Sequence, residues 1–198
     1  MKKHNMYTVL CIMLSLVILS GCWIPEEFET AITVKKDGSY TFTYEGKLAN
    51  VLALAADVEG KLGKDEEAEL KKDVEKLKQE PGFKKVKYLG KGRYQVSVEI
   101  QGKAGENYYF LSKDMKLFSV EAGEKGTLKI SAYSPSEKDL QQLNAVGAKM
   151  DGVLTVTPDK NVKVLEQNAD KIDKKTGTLE WNITSFKAEP MIILKTGT

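Results

Sequence analysis

Phe28-Glu29-Thr30-Ala31-Ile32-Thr33-Val34 runs into Lys35-Lys36-Asp37-Gly38-Ser39 and then Tyr40-Thr41-Phe42-Thr43-Tyr44. Large residues alternate with polar ones on both sides of Asp37-Gly38, the pattern of two antiparallel strands joined by a tight turn. The turn type decides the register. A two-residue turn pairs Val34 with Thr41 and sets Val34 and Phe42 on opposite faces. A three-residue loop with Gly38 left-handed pairs Val34 with Tyr40 and Ile32 with Phe42. All the large side chains then share one face, so the bulged turn is expected.

Outward from this hairpin the periodicity changes. Lys47 to Leu62 carries Leu48, Val51, Leu52, Ala55, Val58 and Leu62 at helical spacing, ended by Gly60 and Gly63. Asp65 to Gln79 predicts a second, densely charged helix with Leu70, Val74 and Leu77 as a narrow apolar stripe, stopped by Pro81-Gly82. Val86 and Tyr88 precede Gly90-Lys91-Gly92, and Tyr94, Val96, Val98 and Ile100 follow at strict alternation, a second hairpin. Further strands are expected at 108–111, 116–121, 127–133, 153–157, 162–165, 178–183 and 191–194. A short helix from Ser136 to Val146 turns Leu140 and Leu143 inward, with Ser136 as its N-cap. The expected class is α+β, a mostly antiparallel β-sheet with a helical hairpin packed on one face.

The first residues read as an address. Lys2 and Lys3 precede an apolar run from Tyr7 to Leu19, the length of a signal-peptide core and too short for a comfortable span. Leu19-Ser20-Gly21-Cys22 follows, which matches a lipobox. The Cys22 thiol is the acyl-transfer nucleophile, and small Ser20 and Gly21 let a peptidase reach the Gly21–Cys22 bond. Residues 1–21 are thus expected to be a lipoprotein signal peptide, and residues 22–27 a lipidated N-terminus and tether. Residues 28–198 form a single envelope domain. Acyl chains such as palmitate on Cys22 hold a protein to a bilayer firmly, since each buried methylene contributes about 0.8 kcal/mol and two chains suffice.

Cleavage there reshapes the chemistry. Lys2 and Lys3 are the only charged side chains before Cys22, so the chain goes from 30 basic and 28 acidic residues to 28 of each. A neutral domain with a single arginine, Arg93, has no electrostatic footprint for nucleic acid. His4 is the only histidine and leaves with the leader, as does Cys11. Ser-His-Asp and Cys-His catalysis, histidine zinc sites, haem ligation and disulfides are thereby excluded from the mature domain. Neither a metal nor a cofactor is expected.

The remaining motifs are structural. Asp65, Glu66, Glu67 and Glu69 lie among lysines on a helix exterior and read as a solvated face. Asp151, Asp159, Asp170 and Asp173 fall in turns without calcium-loop spacing. Tyr40 and Tyr44, Tyr108 and Tyr109, and Trp181 are the candidates for a ligand or partner surface, although strand alternation makes core packing their default. No residue is assigned a catalytic role.

Gly152-Val153-Leu154-Thr155-Val156, then Val164-Leu165-Glu166-Gln167-Asn168-Ala169-Asp170 and Gly177-Thr178-Leu179-Glu180-Trp181-Asn182-Ile183, close the chain after the lipobox, hairpin, helices and strands. This order resembles the LppM-like bacterial lipoproteins, whose domain ends in a strand, an asparagine-containing turn and a tryptophan strand. The resemblance implies an α+β envelope domain with lipid or surface interactions and transfers no catalytic residue. Such proteins often end in a transmembrane helix. Here the chain stops at Thr198 after the short run Met191–Leu194, so acylated Cys22 is the expected membrane attachment. The expected function is a non-catalytic binding or scaffolding module of the bacterial cell envelope that recognises a lipid, a glycan or a protein. The alternative is an envelope hydrolase that works with carboxylates. The plasma membrane is the expected location in a monoderm, the outer membrane in a diderm.

Overall fold

A computed structural model describes residues 23–111, 113 and 116–197. The expected signal peptide and lipobox, with Cys22, lie outside the described residues. The strands are β1 (Trp23–Val34), β2 (Tyr40–Asn50), β3 (Phe83–Gly90), β4 (Arg93–Gly102), β5 (Tyr108–Tyr109) and β6 (Phe118–Ala122). They continue with β7 (Thr127–Ala132), β8 (Gly152–Pro158), β9 (Lys163–Gln167), β10 (Lys171–Ile172), β11 (Leu179–Ile183) and β12 (Met191–Lys195). Among the described residues three α-helices accompany them, α1 (Val51–Val58), α2 (Lys64–Gln79) and α3 (Glu137–Ala145).

The first hairpin has the register its alternation requires. Val34 pairs with Tyr40 and Ile32 with Phe42. Gly38 has φ of +84°, the left-handed residue of the bulged loop. Phe28, Ile32, Val34, Tyr40, Phe42 and Tyr44 are all buried.

Where one sheet was expected there are two. Seven strands run in the order β10-β11-β8-β1-β2-β4-β3 and five in the order β5-β6-β7-β12-β9. All pairings are antiparallel except the central β1–β8 pair. Alternation tells each strand which side to bury and says nothing about its neighbour, so twelve strands can be shared between two sheets without altering the pattern. Both sheets turn apolar faces into one core. Phe28 meets Phe118 at 5.5 Å between ring centres, and Phe110 lies 4.7 Å from Tyr44 and 5.2 Å from Phe42.

Two further expectations are corrected. The helix predicted from Lys47 begins only at Val51, because Lys47–Asn50 carry β2 onward between β1 and β4. Asn50 then caps the helix, its Oδ1 accepting from the Ala53 amide at 3.1 Å. The supposed tether is the first half of β1: Ile24, Pro25 and Glu26 are buried, and Trp23 pairs with Asn50. Helices α1 and α2 serve different clusters. Leu77 and Val74 of α2 join the main core, whereas Leu54 of α1 packs with Ile24, Ala49, Phe186 and with Leu140 and Leu143 of α3.

Phe28 sits at a thin place in the seven-stranded sheet. It pairs with Gly46 on β2 and Gly152 on β8. A Cβ on Gly46 would lie 2.6 Å from that of Phe28, and one on Gly152 would meet the ring at the same distance. The glycines give the ring room on both sides, the same device by which aromatics cover strand glycines elsewhere.

Candidate functional site: the open face of the seven-stranded sheet

The residues that alternate with the core point the other way, onto a face that keeps its side chains partly or fully exposed. They form rungs across neighbouring strands. One rung runs Asn182, Val153, Glu29, Glu45, Ser97 through β11, β8, β1, β2 and β4. The next runs Glu180, Thr155, Ala31, Thr43, Glu99. A third carries Thr157, Thr33, Thr41 and Gln101. Strands lie about 4.8 Å apart and successive rungs about 6.7 Å, so these side chains make a regular polar grid.

The grid is not flat. A concavity of about 450 Å³ is lined by Glu29, Thr43, Glu45, Lys84, Ser97, Glu99 and Thr155. Register shifts in β1 between Pro25 and Phe28 and in β3 between Phe83 and Lys85 add local bend to the ordinary twist of a seven-stranded sheet. A second depression of about 540 Å³ shares Glu29, Glu45 and Val153 and extends toward Glu27, Lys47 and Asp151. Lys47 is held by Glu27 at 2.6 Å. Among the described residues no ion pair engages Glu29, Glu45 or Glu99.

Glu29 and Glu45 are direct cross-strand partners. Like charges in that position oppose sheet formation. Their chemistry suits a partner that brings hydrogen-bond donors or positive charge to the face. Among the described residues, no three His, Cys, Asp or Glu side chains stand as a group able to hold a metal ion.

The aromatic residues singled out from the sequence lie elsewhere. Tyr40, Tyr44 and Trp181 are buried. The Tyr44 hydroxyl donates to the Lys47 carbonyl at 2.8 Å, and Tyr40 donates to that of Glu106 at 3.1 Å. Burial pushes both phenols up, Tyr40 to about 12 with help from the Glu106 charge. Tyr108 is half-buried, its ring 5.0 Å from that of Phe42. Tyr109 is also half-buried and lies under the Lys116 ammonium at 5.2 Å, a cation–π contact. These side chains build the core and its rim; they do not share a surface.

Trp181 has a precise structural role. Its Nε1 donates to Asn168 Oδ1 at 2.9 Å, and the same oxygen accepts the Met191 amide at 2.8 Å. Asn168 Nδ2 donates to the Glu189 carbonyl at 2.8 Å. One side chain thereby ties β11 of the larger sheet to β12 of the smaller. The polar grid was missed at the sequence level because its residues look like the solvated half of any amphipathic strand. The extra signal was present: glutamates recur at 29, 45 and 99 on outward positions of three strands, beside Thr43 and Ser97.

No family model matches the chain, and no curated protein matches it. Among solved structures the chain is similar to the folded domain of the Mycobacterium tuberculosis LppM protein, at 13% identity and a TM-score of 0.42, over 87% of this chain and 91% of that one. It is also similar to native yeast LTA4 hydrolase, at 7% identity and a TM-score of 0.35, over 89% of this chain and 30% of that one.

Proposed function

We propose that this chain is a lipid-anchored binding module of the bacterial cell envelope, held to the membrane by acylated Cys22. Its open sheet face meets a polar partner, a glycan or a protein segment. The observation that carries the reading is the grid itself: a concavity of about 450 Å³ whose lining gathers Glu29, Glu45 and Glu99 with Lys84, the three glutamates engaged in no ion pair among the described residues. A protein that needed this face only for solubility would gain by alternating charge across Glu29 and Glu45. The recognition is non-catalytic.

The test has two arms. Cys22→Ser is expected to abolish acyl labelling and leave the precursor unprocessed; normal processing in that variant refutes the anchor. A photo-crosslinking residue at Thr43, introduced in the native host, is expected to capture an envelope component. Glu29→Lys with Glu45→Lys should abolish the capture. Equal capture from a control position at Leu165, on the exposed strand β9, would refute recognition by this face.

The three carboxylates around one concavity favour a second reading, an envelope hydrolase of the glycosidase type, in which two carboxylates act on opposite sides of a bond. It predicts release of reducing sugar from envelope glycan and its loss in Glu29→Gln or Glu45→Gln. Binding with no turnover removes it.

A further inference from the structure

Helix α1 is out of character with its surroundings. Its sequence, Val51-Leu52-Ala53-Leu54-Ala55-Ala56-Asp57-Val58, has one charged residue in eight. Ala53 and Leu54 are buried, yet Leu52 is 52% exposed and Val58 63% exposed. A helix that is apolar on every side belongs in a protein core or in contact with lipid. Its single charge, Asp57, is met by Lys91 at 3.2 Å. The β3–β4 turn that carries Lys91 abuts the helix: the Asn50 amide donates to the Gly92 carbonyl, and a Cβ on Gly92 would meet Ala53. Just before this turn, near the end of β3, Leu89 is a further exposed large apolar residue.

The anchor ends at the same place. Trp23 pairs with Asn50, the cap of α1. Cys22 is one peptide before Trp23, so their Cα atoms are about 3.8 Å apart and no spacer intervenes. An acyl chain entering the bilayer from Cys22 therefore draws the start of α1 to the lipid headgroups with it. We propose that Leu52 and Val58 of α1, with Leu89 near the end of β3, form a membrane-docking face that lies in the headgroup–acyl boundary of the bilayer holding Cys22. The helix is about 12 Å long and lies in the interface, not across it; among the described residues no helix is long and apolar enough to cross a membrane. Trp23, half-buried against Tyr94 at 5.1 Å, is the aromatic at the waterline.

This inference rests on acylation of Cys22, and it adds an orientation. Glu29 lies six residues along β1 from Trp23, about 20 Å at strand rise, so the polar grid stands clear of the headgroups.

The test uses the full chain, processed in its host and reconstituted in vesicles of phosphatidylethanolamine and phosphatidylglycerol. Cys11 departs with the leader and Cys22 is blocked by its acyl group, so a cysteine placed at Leu52, Val58 or Leu165 is the single free thiol for a nitroxide label. The labels at 52 and 58 are expected to become several-fold less accessible to a polar relaxation agent, and more accessible to oxygen, when the protein floats with vesicles than in detergent. The label at 165 is expected to stay unchanged. If the protein floats and labels 52 and 58 remain as accessible as 165, the docking face is overturned and the anchor stands. If the protein carries no acyl group and does not float, both fall.

Discussion

Arg93 grips Glu26 from two nitrogens, Nε to Oε2 at 2.8 Å and Nη2 to Oε1 at 3.3 Å, and so clamps the beginning of β1 to the beginning of β4. The carboxylate is only 10% exposed, the guanidinium 31%. The one arginine of the chain thus braces the stretch that follows Cys22.

Arg93→Ala leaves the Glu26 carboxylate buried without its partner. Breaking a fully buried pair costs about 3–5 kcal/mol, and the partial exposure of this one lowers the expected loss to roughly 2 kcal/mol. Chemical denaturation of the variant checks this. Arg93→Lys keeps the charge but loses the two-nitrogen geometry, and is expected to recover only part of the loss. Equal stability of all three proteins would show that the pair contributes nothing.

Asn168→Ala removes the acceptor shared by Trp181 Nε1 and the Met191 amide. Leaving such groups unsatisfied costs about 1–3 kcal/mol each, so a loss of about 2–3 kcal/mol is expected. Asn168→Asp retains the acceptor oxygen and should be milder. The tryptophan emission of the alanine variant should also change, since the indole N–H loses its partner.

Alkaline pH should unfold the domain. Burial pushes Tyr40 and Tyr88 up to about 12, Tyr88 also through its hydrogen bond to Glu67, and drives Tyr44, Tyr94 and Tyr108 upward as well. In the unfolded chain these phenols ionise near their ordinary value of about 10. The folded state holds its protons longer, so the stabilisation is complete below pH of about 10 and is lost as pH rises toward about 12. Denaturation midpoints across that window are expected to fall steeply. Tyr40→Phe and Tyr88→Phe should each flatten the fall; an unchanged slope in both would contradict this account.

Glu45→Gln removes the repulsion with Glu29 across the sheet. It is expected to raise stability by roughly 0.5 kcal/mol, within the range for cross-strand charge pairs. The same change should weaken capture from Thr43. A stabilising variant that loses binding separates a surface kept for recognition from one kept for folding.

Much of the local structure was legible before the fold. The Asp37-Gly38 loop could be assigned to a bulged turn because only one register puts Val34, Ile32, Tyr40 and Phe42 together, and the structure has that register. Helix α2 and the Ser136 cap were likewise written in local pattern and capping chemistry. Lys47–Asn50 were not: their apolar spacing suits a helix equally well, and only hydrogen bonds from β1 and β4 on either side hold them extended. Trp23–Glu27 read as a tether for the same reason.

The aromatic rows show the limit from the other direction. Tyr40, Tyr44 and Trp181 carry hydroxyl and indole groups that hint at water. Carbonyls or an amide oxygen brought near from elsewhere in the chain satisfy them inside the core. Which of two candidate faces stays open to solvent was therefore decided by hydrogen bonds that exist only after folding.

By itself the sequence determined the lipobox-like pattern ending at Cys22, the placing of His4 and Cys11 ahead of it, and the two-faced strands, because each follows from residue identity or short-range spacing. Only the tertiary structure decided that the strands divide into two sheets, that Asn168 ties them together, and that Glu29, Glu45 and Glu99 share one concave face with Lys84. It also set α1 at the foot of β1. Those facts depend on which strands become neighbours, and strand pairing is settled by long-range hydrogen bonding and common burial, to which a local period of two is blind.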